Sequence, residues 1–329
     1  MPIWLTREDV QAVLNMPDAI NAVAEAFRLL SLGQVELPLR TNMPVTPHQG
    51  SLLTMPAYVG GDVDGLGVKL ITLYAENPQR HNLPAIQGSF ALFDPRTGAL
   101  EAVMEAGYMT AVRTGAAGGV AVRHLARPDV ETLLLFGAGA QAPYQLEAVL
   151  CERPGIRQVW VVSRTRAHAE AFARAMQERF GVAATVPAIV EEAVRAADII
   201  VTATSAHEPL FDGRWLQPGV HITGVGSHLP HAREVDSVTV QRAKVVADQT
   251  QACLAEAGDL VVPLAAGEIE QEHIYGELGE IVAGRKPGRV DPAEITFFKS
   301  VGLAVQDVAV ARLIVDRARD AGVGQTLTI

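Results

Sequence analysis

The sequence predicts an α/β protein in which a doubly wound parallel sheet is joined to a discontinuous α+β domain. Three observations predict this fold. Short apolar runs alternate with helical patterns from residue 130 to residue 247, as in a parallel sheet. A glycine-rich turn follows the first of those runs. The chain of 329 residues is also longer than one compact core usually supports, so we expect two domains.

The glycine-rich turn lies between an apolar run at residues 132–136 and a helical pattern that starts near Gln141. Gly137 allows the tight turn, Gly139 lets a pyrophosphate approach the backbone, and Ala140 and Gln141 complete the predicted cofactor contacts. The positive end of the helix favours the same anion. A second apolar run at residues 159–162 makes this the first βαβ unit of a Rossmann domain, although tight turns of this kind also occur in other α/β proteins.

The residues after the second strand indicate which dinucleotide is bound. NAD-selective enzymes usually place an acidic residue there to hold the ribose 2′-hydroxyl. This strand ends in Ser163-Arg164-Thr165, with no acid before Glu170. A guanidinium and two hydroxyls suit a 2′-phosphate. We therefore predict NADP(H), with NAD(H) also possible; the alternative is that Arg164 is only a solvated loop residue.

Four further strands are predicted at residues 184–186, 198–203, 220–225 and 244–247. Because ligands bind at the carboxyl ends of parallel strands, Thr204, Gly226 and Ser227 are also predicted to contact the cofactor. Residues 248–292 are rich in loops and short helices, and residues 297–321 predict a last long helix that could return to the first domain.

The first domain begins with a short strand and a helix that ends at Gly33. Residues 35–110 contain short apolar runs broken by Pro, Gly, Asn and Asp, which indicates an antiparallel sheet or small barrel. A helical pattern at residues 110–124 leads into the second domain. We therefore expect a first domain of residues 1–118 and 305–329 and a dinucleotide-binding domain of residues 119–304.

Composition restricts the class of partner. The net charge of −10 disfavours nucleic acid and anionic membranes. The two cysteines, Cys151 and Cys253, are far apart and form no CxxC pair, which indicates a reducing compartment and no structural zinc. No apolar run reaches about 18 residues, and no signal-like segment follows the N-terminus. We expect a soluble, cytoplasmic protein that does not bind membranes.

Three cationic residues precede the dinucleotide domain. Arg40 lies in a proline-flanked loop, Lys69 lies in an apolar strand on the same face as Ile71, and Arg113 lies in the 110–124 helix. A lysine inside an apolar strand is costly unless it is paired or functional. Together these cations are compatible with a carboxylate pocket; singly, each is equally well a solvated or salt-bridged residue.

Three further groups of residues could carry chemistry. Glu256, in Ala255-Glu-Ala-Gly-Asp259, is either a helix-end carboxylate or a proton-transfer group. His228 and His231 lack a third metal ligand, so no metal site is predicted. Ser227 and His228 lack an acidic partner and a nucleophile elbow, which disfavours a serine nucleophile.

Several stretches, in order along almost the whole chain, carry a resemblance to one family. The chain resembles the ornithine cyclodeaminase/μ-crystallin family, which includes archaeal-type alanine dehydrogenases and cyclic ketimine reductases. The stretches that carry the resemblance are Val68-Lys69-Leu70 with Asn77-Pro78, Thr110-Ala-Val-Arg113-Thr-Gly-Ala-Ala117, Gly137-Ala-Gly139-Ala-Gln141, Glu256-Ala-Gly-Asp259, Glu277-Leu-Gly-Glu-Ile-Val-Ala-Gly284 and Phe298-Lys-Ser-Val-Gly302.

The resemblance implies a homodimer whose first domain provides the dimer surface and the substrate pocket. It implies that Arg40, Lys69 and Arg113 hold the substrate carboxylate, with Arg113 near the cofactor as well. Glu256 matches an acidic residue at the ligand pocket of crystallin-like members. Lys69, Ser227 and Glu256 are the candidate catalytic residues.

One departure from the family separates the possible activities. Ornithine cyclodeaminases have a catalytic Asp after the fifth strand, where this chain has Ser227, and a serine cannot act as a carboxylate base. We therefore expect NAD(P)H-dependent reduction of small cyclic imino acids such as pyrroline-2-carboxylate or piperideine-2-carboxylate. The alternatives are an ornithine cyclodeaminase, an alanine dehydrogenase-like enzyme, or a non-catalytic protein that binds NADPH and a small ligand.

Overall fold

The computed structural model describes residues 1–328. The chain divides into two compact units, Met1–Arg113 together with the segment from Leu303 onward, and Thr114–Gly302. The sequence places these breaks at 118/119 and 304/305, within a few residues of the structural ones. No helix among the described residues is long and apolar enough to cross a lipid bilayer.

The first unit opens with a strand and two helices, continues as a run of strands, and ends within a long helix. Its elements are β1 (Ile3–Leu5), α1 (Arg7–Val13), α2 (Met16–Ser31), β2 (Val35–Glu36), β3 (Thr41–Val45), β4 (Gly50–Val59), β5 (Gly65–Leu73), α3 (Asn77–Arg80), β6 (Ile86–Phe93), β7 (Leu100–Glu105) and α4 (Ala106–Leu125).

Strands then alternate with helices through the second unit, and the last helix and strand return to the first. These elements are β8 (Thr132–Phe136), α5 (Ala142–Glu152), β9 (Gln158–Val162), α6 (Arg166–Phe180), β10 (Ala183–Thr185), α7 (Val190–Ala196), β11 (Ile199–Thr202), β12 (His221–Gly224), α8 (Ser237–Arg242), β13 (Lys244–Ala247), α9 (Thr250–Glu256), α10 (Gly258–Ala265), β14 (Ile274–Glu277), α11 (Leu278–Val282), β15 (Thr296–Lys299), α12 (Ala304–Ala321) and β16 (Gln325–Thr326).

The sheet of the first unit has the order β16-β1-β7-β6-β5-β4-β2, and β3 also pairs with β4. Strands β3 to β7 are antiparallel neighbours, as the short apolar runs predict, whereas β1 and β7 are parallel. Helix α12 packs against α2, β4 and β5. Alternation along β5 buries Lys69 and Ile71 and leaves Leu70 exposed, as predicted.

The second unit is an eight-stranded sheet in the order β10-β9-β8-β11-β12-β15-β13-β14, with every pairing parallel. Apolar side chains lie on both faces. Along β8, Leu133 and Leu135 belong to one core cluster, and Leu134 and Phe136 belong to another. This is the predicted doubly wound arrangement, because a parallel sheet covered on both faces needs strands that are apolar throughout.

Two strands of the second unit were missed by sequence reasoning. The predicted helix at residues 297–321 is wrong at its start, because α12 begins at Ala304 and residues 296–299 form β15. All four residues of β15 are buried between β12 and β13, where aromatic side chains favour a strand, and Gly302, with φ +81°, separates strand from helix. Strand β14 lies in the segment predicted to hold only loops and short helices.

Candidate active site

The glycine turn after β8 has the geometry that its sequence predicts. Gly137 has φ +111°, and a Cβ there would lie 2.4 Å from the carbonyl oxygen of Ala203, so only glycine fits. A Cβ on Gly139 would meet nothing within 4 Å, which leaves the backbone open to a ligand. Helix α5 begins at Ala142 after Gln141, and no side chain caps it. Ala142 is fully buried in the core under the sheet.

A pocket of about 570 Å³ opens beside this turn in the second unit. Its walls come from the ends of β8, β9 and β11 and from the first turn of α6. Its lining residues include Gly137, Gly139, Ser163, Arg164, Thr165, His168 and Thr204. Six of these are residues that the sequence predicts to contact a cofactor, and His168 is not. Ala140, Gln141, Gly226, Ser227 and Arg113 are not among the lining residues of this pocket.

Arg164 differs from the arginine two residues later. Arg164 is exposed at the rim of the pocket, and its guanidinium forms no hydrogen bond or ion pair within residues 1–328. The guanidinium of Arg166 lies 2.8 Å from the carboxylate of Glu170, one helical turn away. Arg164 is therefore available to a bound anion, whereas Arg166 is already paired.

A buried carboxylate, missed by sequence reasoning, fixes the ends of β11 and β12. Glu234 accepts hydrogen bonds from the hydroxyl of Thr202 (2.9 Å), from the N–H and hydroxyl of Thr204 (both 2.7 Å), and from the N–H groups of Gly226 (2.8 Å) and Ser227 (3.3 Å). Glu234 is fully buried, so these bonds replace its hydration. Three residues predicted near the cofactor are therefore held by one carboxylate.

Ser227 is buried, and its hydroxyl donates to the carbonyl oxygen of Ala232. The hydroxyl thus closes the turn after β12. At Gly226, two residues after the end of β12, a Cβ would lie 2.2 Å from the carbonyl oxygen of Thr204, so only glycine fits there. Glu256 is the last residue of α9 and is half-buried in the second unit.

Two of the stretches that suggested the family meet behind the Glu234 turn. The ammonium of Lys299 lies 2.7 Å from the carboxylate of Asp259, and both side chains are buried. Asp259 also accepts the N–H of Glu234 at 2.6 Å. Burial alone would lower the pKa of Lys299, but the charges of Asp259 and Glu234 raise that pKa above its usual value. These two anions therefore stabilise the charged form of Lys299.

The predicted cations Lys69 and Arg113 come together in the first unit. The Lys69 ammonium lies 2.7 Å from one oxygen of Asp307, and the Arg113 Nε donates to the other oxygen at 2.9 Å. Arg113 also donates through Nη1 to the side-chain oxygen of Gln306 at 2.8 Å. Lys69 is 1% exposed, and Asp307 is fully buried. Two cations thus share a single carboxylate out of contact with water.

The surroundings of Lys69 lower its pKa, whereas those of Lys299 raise its pKa. The pKa of the Lys69 ammonium is lowered from 10.5 to about 7, chiefly by burial and then by the charge of Arg113, against the opposing effect of Asp307. The charge of Arg40 also contributes in the lowering direction. Lys69 therefore lies in a site where cations outnumber anions, and an added anion would stabilise its charged form.

Arg40 lies in the same region of the sheet. It directly precedes Thr41 of β3, which pairs with Thr54 of β4, and the residue after Thr54 pairs with Lys69 of β5. The structure therefore brings Arg40, Lys69 and Arg113 into one electrostatic cluster. Lys69 and Arg113 both contact Asp307, which sequence reasoning did not predict as part of this cluster. Its only sequence signal is the polar pair Gln306-Asp307 at the start of an otherwise apolar helix face.

The comparisons with known proteins cover nearly the whole chain. Residues 2–322 match the model of the ornithine cyclodeaminase/mu-crystallin family. The chain is 41% identical over 324 residues to a Delta(1)-pyrroline-2-carboxylate reductase of Bacillus cereus, with 98% of each chain covered.

Solved structures show the same similarity in three dimensions. The structure of the Thermococcus litoralis Delta(1)-pyrroline-2-carboxylate reductase in complex with NADH and L-proline matches with a TM-score of 0.94 and 41% identity, covering 99% of this chain and 100% of that one. An archaeal alanine dehydrogenase dimer with bound NAD matches with a TM-score of 0.93 and 35% identity, covering 100% and 99%.

Proposed function

This chain belongs to the ornithine cyclodeaminase/mu-crystallin family, and from that premise we propose that it is an NAD(P)H-dependent oxidoreductase that reduces the C=N bond of small cyclic imino acids. Pyrroline-2-carboxylate and piperideine-2-carboxylate are the proposed substrates. The relatives named as pyrroline-2-carboxylate reductases support this choice over the other activities of the family.

One observation carries the proposal: Lys69 and Arg113 share a single carboxylate inside the first unit. Lys299 shows how the balance of nearby charges changes the pKa of a buried lysine. Two anions raise the pKa of that buried lysine, whereas the pKa of Lys69 falls to about 7. A substrate carboxylate supplies the missing negative charge, and a guanidinium and an ammonium are well suited to hold it.

Lys69 has a second property that suits imine reduction. A bound NAD(P)H supplies the hydride that adds to the imine carbon, and the imine nitrogen must gain one proton. An ammonium whose pKa is about 7 gives up a proton readily near neutral pH. We therefore assign Lys69 to substrate binding and to proton delivery, and we keep Glu256 as the second candidate for proton transfer.

The cofactor is proposed to bind in the second unit, in the 570 Å³ pocket beside Gly137 and Gly139. We propose NADPH as the preferred form, because Arg164 is free at the rim and Ser163 and Thr165 add hydroxyls there. The nicotinamide end is assigned to Thr204, Gly226 and Ser227, which Glu234 holds in place. Ala140, Gln141 and Arg113 remain predicted cofactor contacts.

The residues after β12 argue against cyclodeamination. Ser227 carries no charge, and its hydroxyl is bonded to Ala232. Glu234, the carboxylate in contact with Ser227, accepts at least two hydrogen bonds on each oxygen and is therefore not free to act as a base. Oxidation of NADPH on addition of pyrroline-2-carboxylate, with proline as product, tests the proposed function.

We further propose that the protein is a homodimer, formed through the outer face of the sheet in the first unit. Met43 of β3 and Leu70 of β5 lie on the face opposite Lys69 and are 52% and 41% exposed. Exposed apolar patches of this kind mark association sites, and one similar structure is a dimer. A cytoplasmic location is proposed because Cys151 and Cys253 are both free thiols.

A further inference from the structure

Helix α12 delivers a carboxylate to the two substrate-site cations from the far end of the sequence. Asp307 lies in the first turn of α12, and one of its oxygens contacts Lys69 while the other contacts Arg113. The positive end of the helix favours a negative charge at this position. Gln306, beside it on the same turn, accepts a hydrogen bond from Arg113 at 2.8 Å.

The contacts of Asp307 set the spacing of Lys69 and Arg113 and offset part of their positive charge. Because each cation contacts a different oxygen of one carboxylate, the distance between ammonium and guanidinium is fixed by the width of that carboxylate. The groups that face Lys69 with a charge are Arg113 on α4, Asp307 on α12 and Arg40 before β3. Asp307 is the only anion among these groups, so it alone opposes the mutual repulsion of the cations.

We propose that Asp307 is a positioning residue of the substrate site: it holds Lys69 and Arg113 at a fixed spacing and keeps the Lys69 ammonium charged until the substrate carboxylate binds. This inference rests on the proposed function, because it assigns these cations to a substrate carboxylate. Substrate then adds a second anion, so that binding and protonation of Lys69 support one another.

The first test measures the protonation of Lys69 directly. The chain contains only four lysines, Lys69, Lys244, Lys286 and Lys299, so NMR of protein labelled with ¹³C at lysine Cε gives few signals, and Lys69→Met identifies the one required. In Asp307→Asn the titration midpoint of Lys69 should fall by about one pH unit or more, because the anion that contacts it is gone. Loss of the proton relieves the unpaired charge of Lys69, and Arg113 keeps its hydrogen bond to Gln306; a thermal melt checks the fold of the variant.

Two further variants control this measurement. Gln306→Glu adds a carboxylate beside Arg113 and should move the Lys69 midpoint upward. Asp316→Asn changes an exposed acid on the same helix, paired with Arg312, and should leave the midpoint unchanged. If Lys69 titrates at the same pH in the parent, Asp307→Asn and Gln306→Glu proteins, the proposal is overturned.

The second test separates positioning from a purely structural role. The pH profile of kcat/KM reports the free enzyme, so Asp307→Asn should shift its alkaline limb to lower pH and reduce kcat/KM about tenfold at pH 8, with the KM for NADPH unchanged. A uniform loss at all pH values, without a shift of the limb, would contradict the proposal. If the parent protein reduced no imine, the proposed function would fail, while the NMR shift would still decide the role of Asp307.

Discussion

The ammonium of Lys69 lies 2.7 Å from the carboxylate of Asp307, although the two residues are 238 positions apart in the chain. Both side chains are buried, and the same carboxylate accepts a hydrogen bond from Arg113. Helix α12 thus contributes to the proposed substrate site of the first unit. Lys69, Arg113 and Asp307 together carry a net charge of +1 when all three are ionised. A net positive charge favours the binding of an anionic substrate.

Replacing either cation should abolish turnover without unfolding the protein. Lys69→Met leaves Asp307 paired with Arg113, and Arg113→Met leaves it paired with Lys69, so neither variant buries an uncompensated charge. Both variants should lose most of kcat/KM for the imine, because the carboxylate clamp needs both cations. The measurement is steady-state kinetics at saturating NADPH, with a thermal melt to check the fold.

Arg312→Met is the matched control for these variants. Arg312 lies on α12 in the same unit and pairs with Glu101 and Asp316 outside the cation cluster, so its loss should leave kcat/KM near the parent value. Near-parent activity in Lys69→Met or Arg113→Met would remove that residue from the site. The double variant should be much less stable, because burying Asp307 alone costs about 3–5 kcal/mol.

The sequence predicted the cations but not the anion that organises them. Lys69 could be singled out because a lysine in an apolar strand is unusual, and Arg113 because of the stretch around it. Asp307 could not, since an acid in the first turn of a helix is also common at exposed sites. Its burial depends on how α12 packs against β5, which is a long-range contact that no local pattern encodes.

Arg164 should determine the preference for NADPH. Arg164→Ala should weaken NADPH binding by roughly ten- to a hundredfold, the value of one charge-assisted pair with a phosphate, and should leave NADH binding nearly unchanged. Fluorescence titration with both reduced cofactors measures this. Equal affinity of the parent protein for NADPH and NADH would contradict the proposed preference.

Arg166→Ala provides the control for Arg164. Arg166 is also exposed and lies two residues away, but it pairs with Glu170 and does not line the pocket. Its replacement should therefore change neither affinity. If Arg166→Ala weakened NADPH as much as Arg164→Ala, general positive charge rather than a specific contact would explain the preference.

A charge on the outer face of the first sheet should separate the proposed dimer. Leu70→Glu places a carboxylate in the patch with Met43, and burying an unpaired charge in an interface is costly. Sedimentation velocity should show a monomer for Leu70→Glu and a dimer for the parent. Val290→Glu changes a more exposed residue, 65% accessible, in the second unit and should remain dimeric. A monomeric parent protein would contradict the proposal.

The second unit was more predictable than the first because its signals are local. Six of its strands follow from apolar runs between helices, and the glycine turn follows from Gly137 and Gly139. Strand β15 was assigned to a helix, since the four residues Thr296 to Lys299 are too few to show a period of two and are followed directly by a helical pattern. The role of Glu234 was also missed, because its five donors come from two other segments of the chain, residues 202–204 and 226–227.

The claim at the centre of this account is that the protein reduces a cyclic imino acid and does not deaminate ornithine. The most direct measurement compares kcat/KM for three reactions of one preparation: NADPH with pyrroline-2-carboxylate, NADPH with pyruvate and ammonia, and NAD⁺ with L-ornithine. Because Ser227 supplies no carboxylate, imine reduction should far exceed the other two, and ornithine should release little or no ammonia. Release of ammonia and formation of proline from ornithine at a rate comparable with imine reduction would contradict the account.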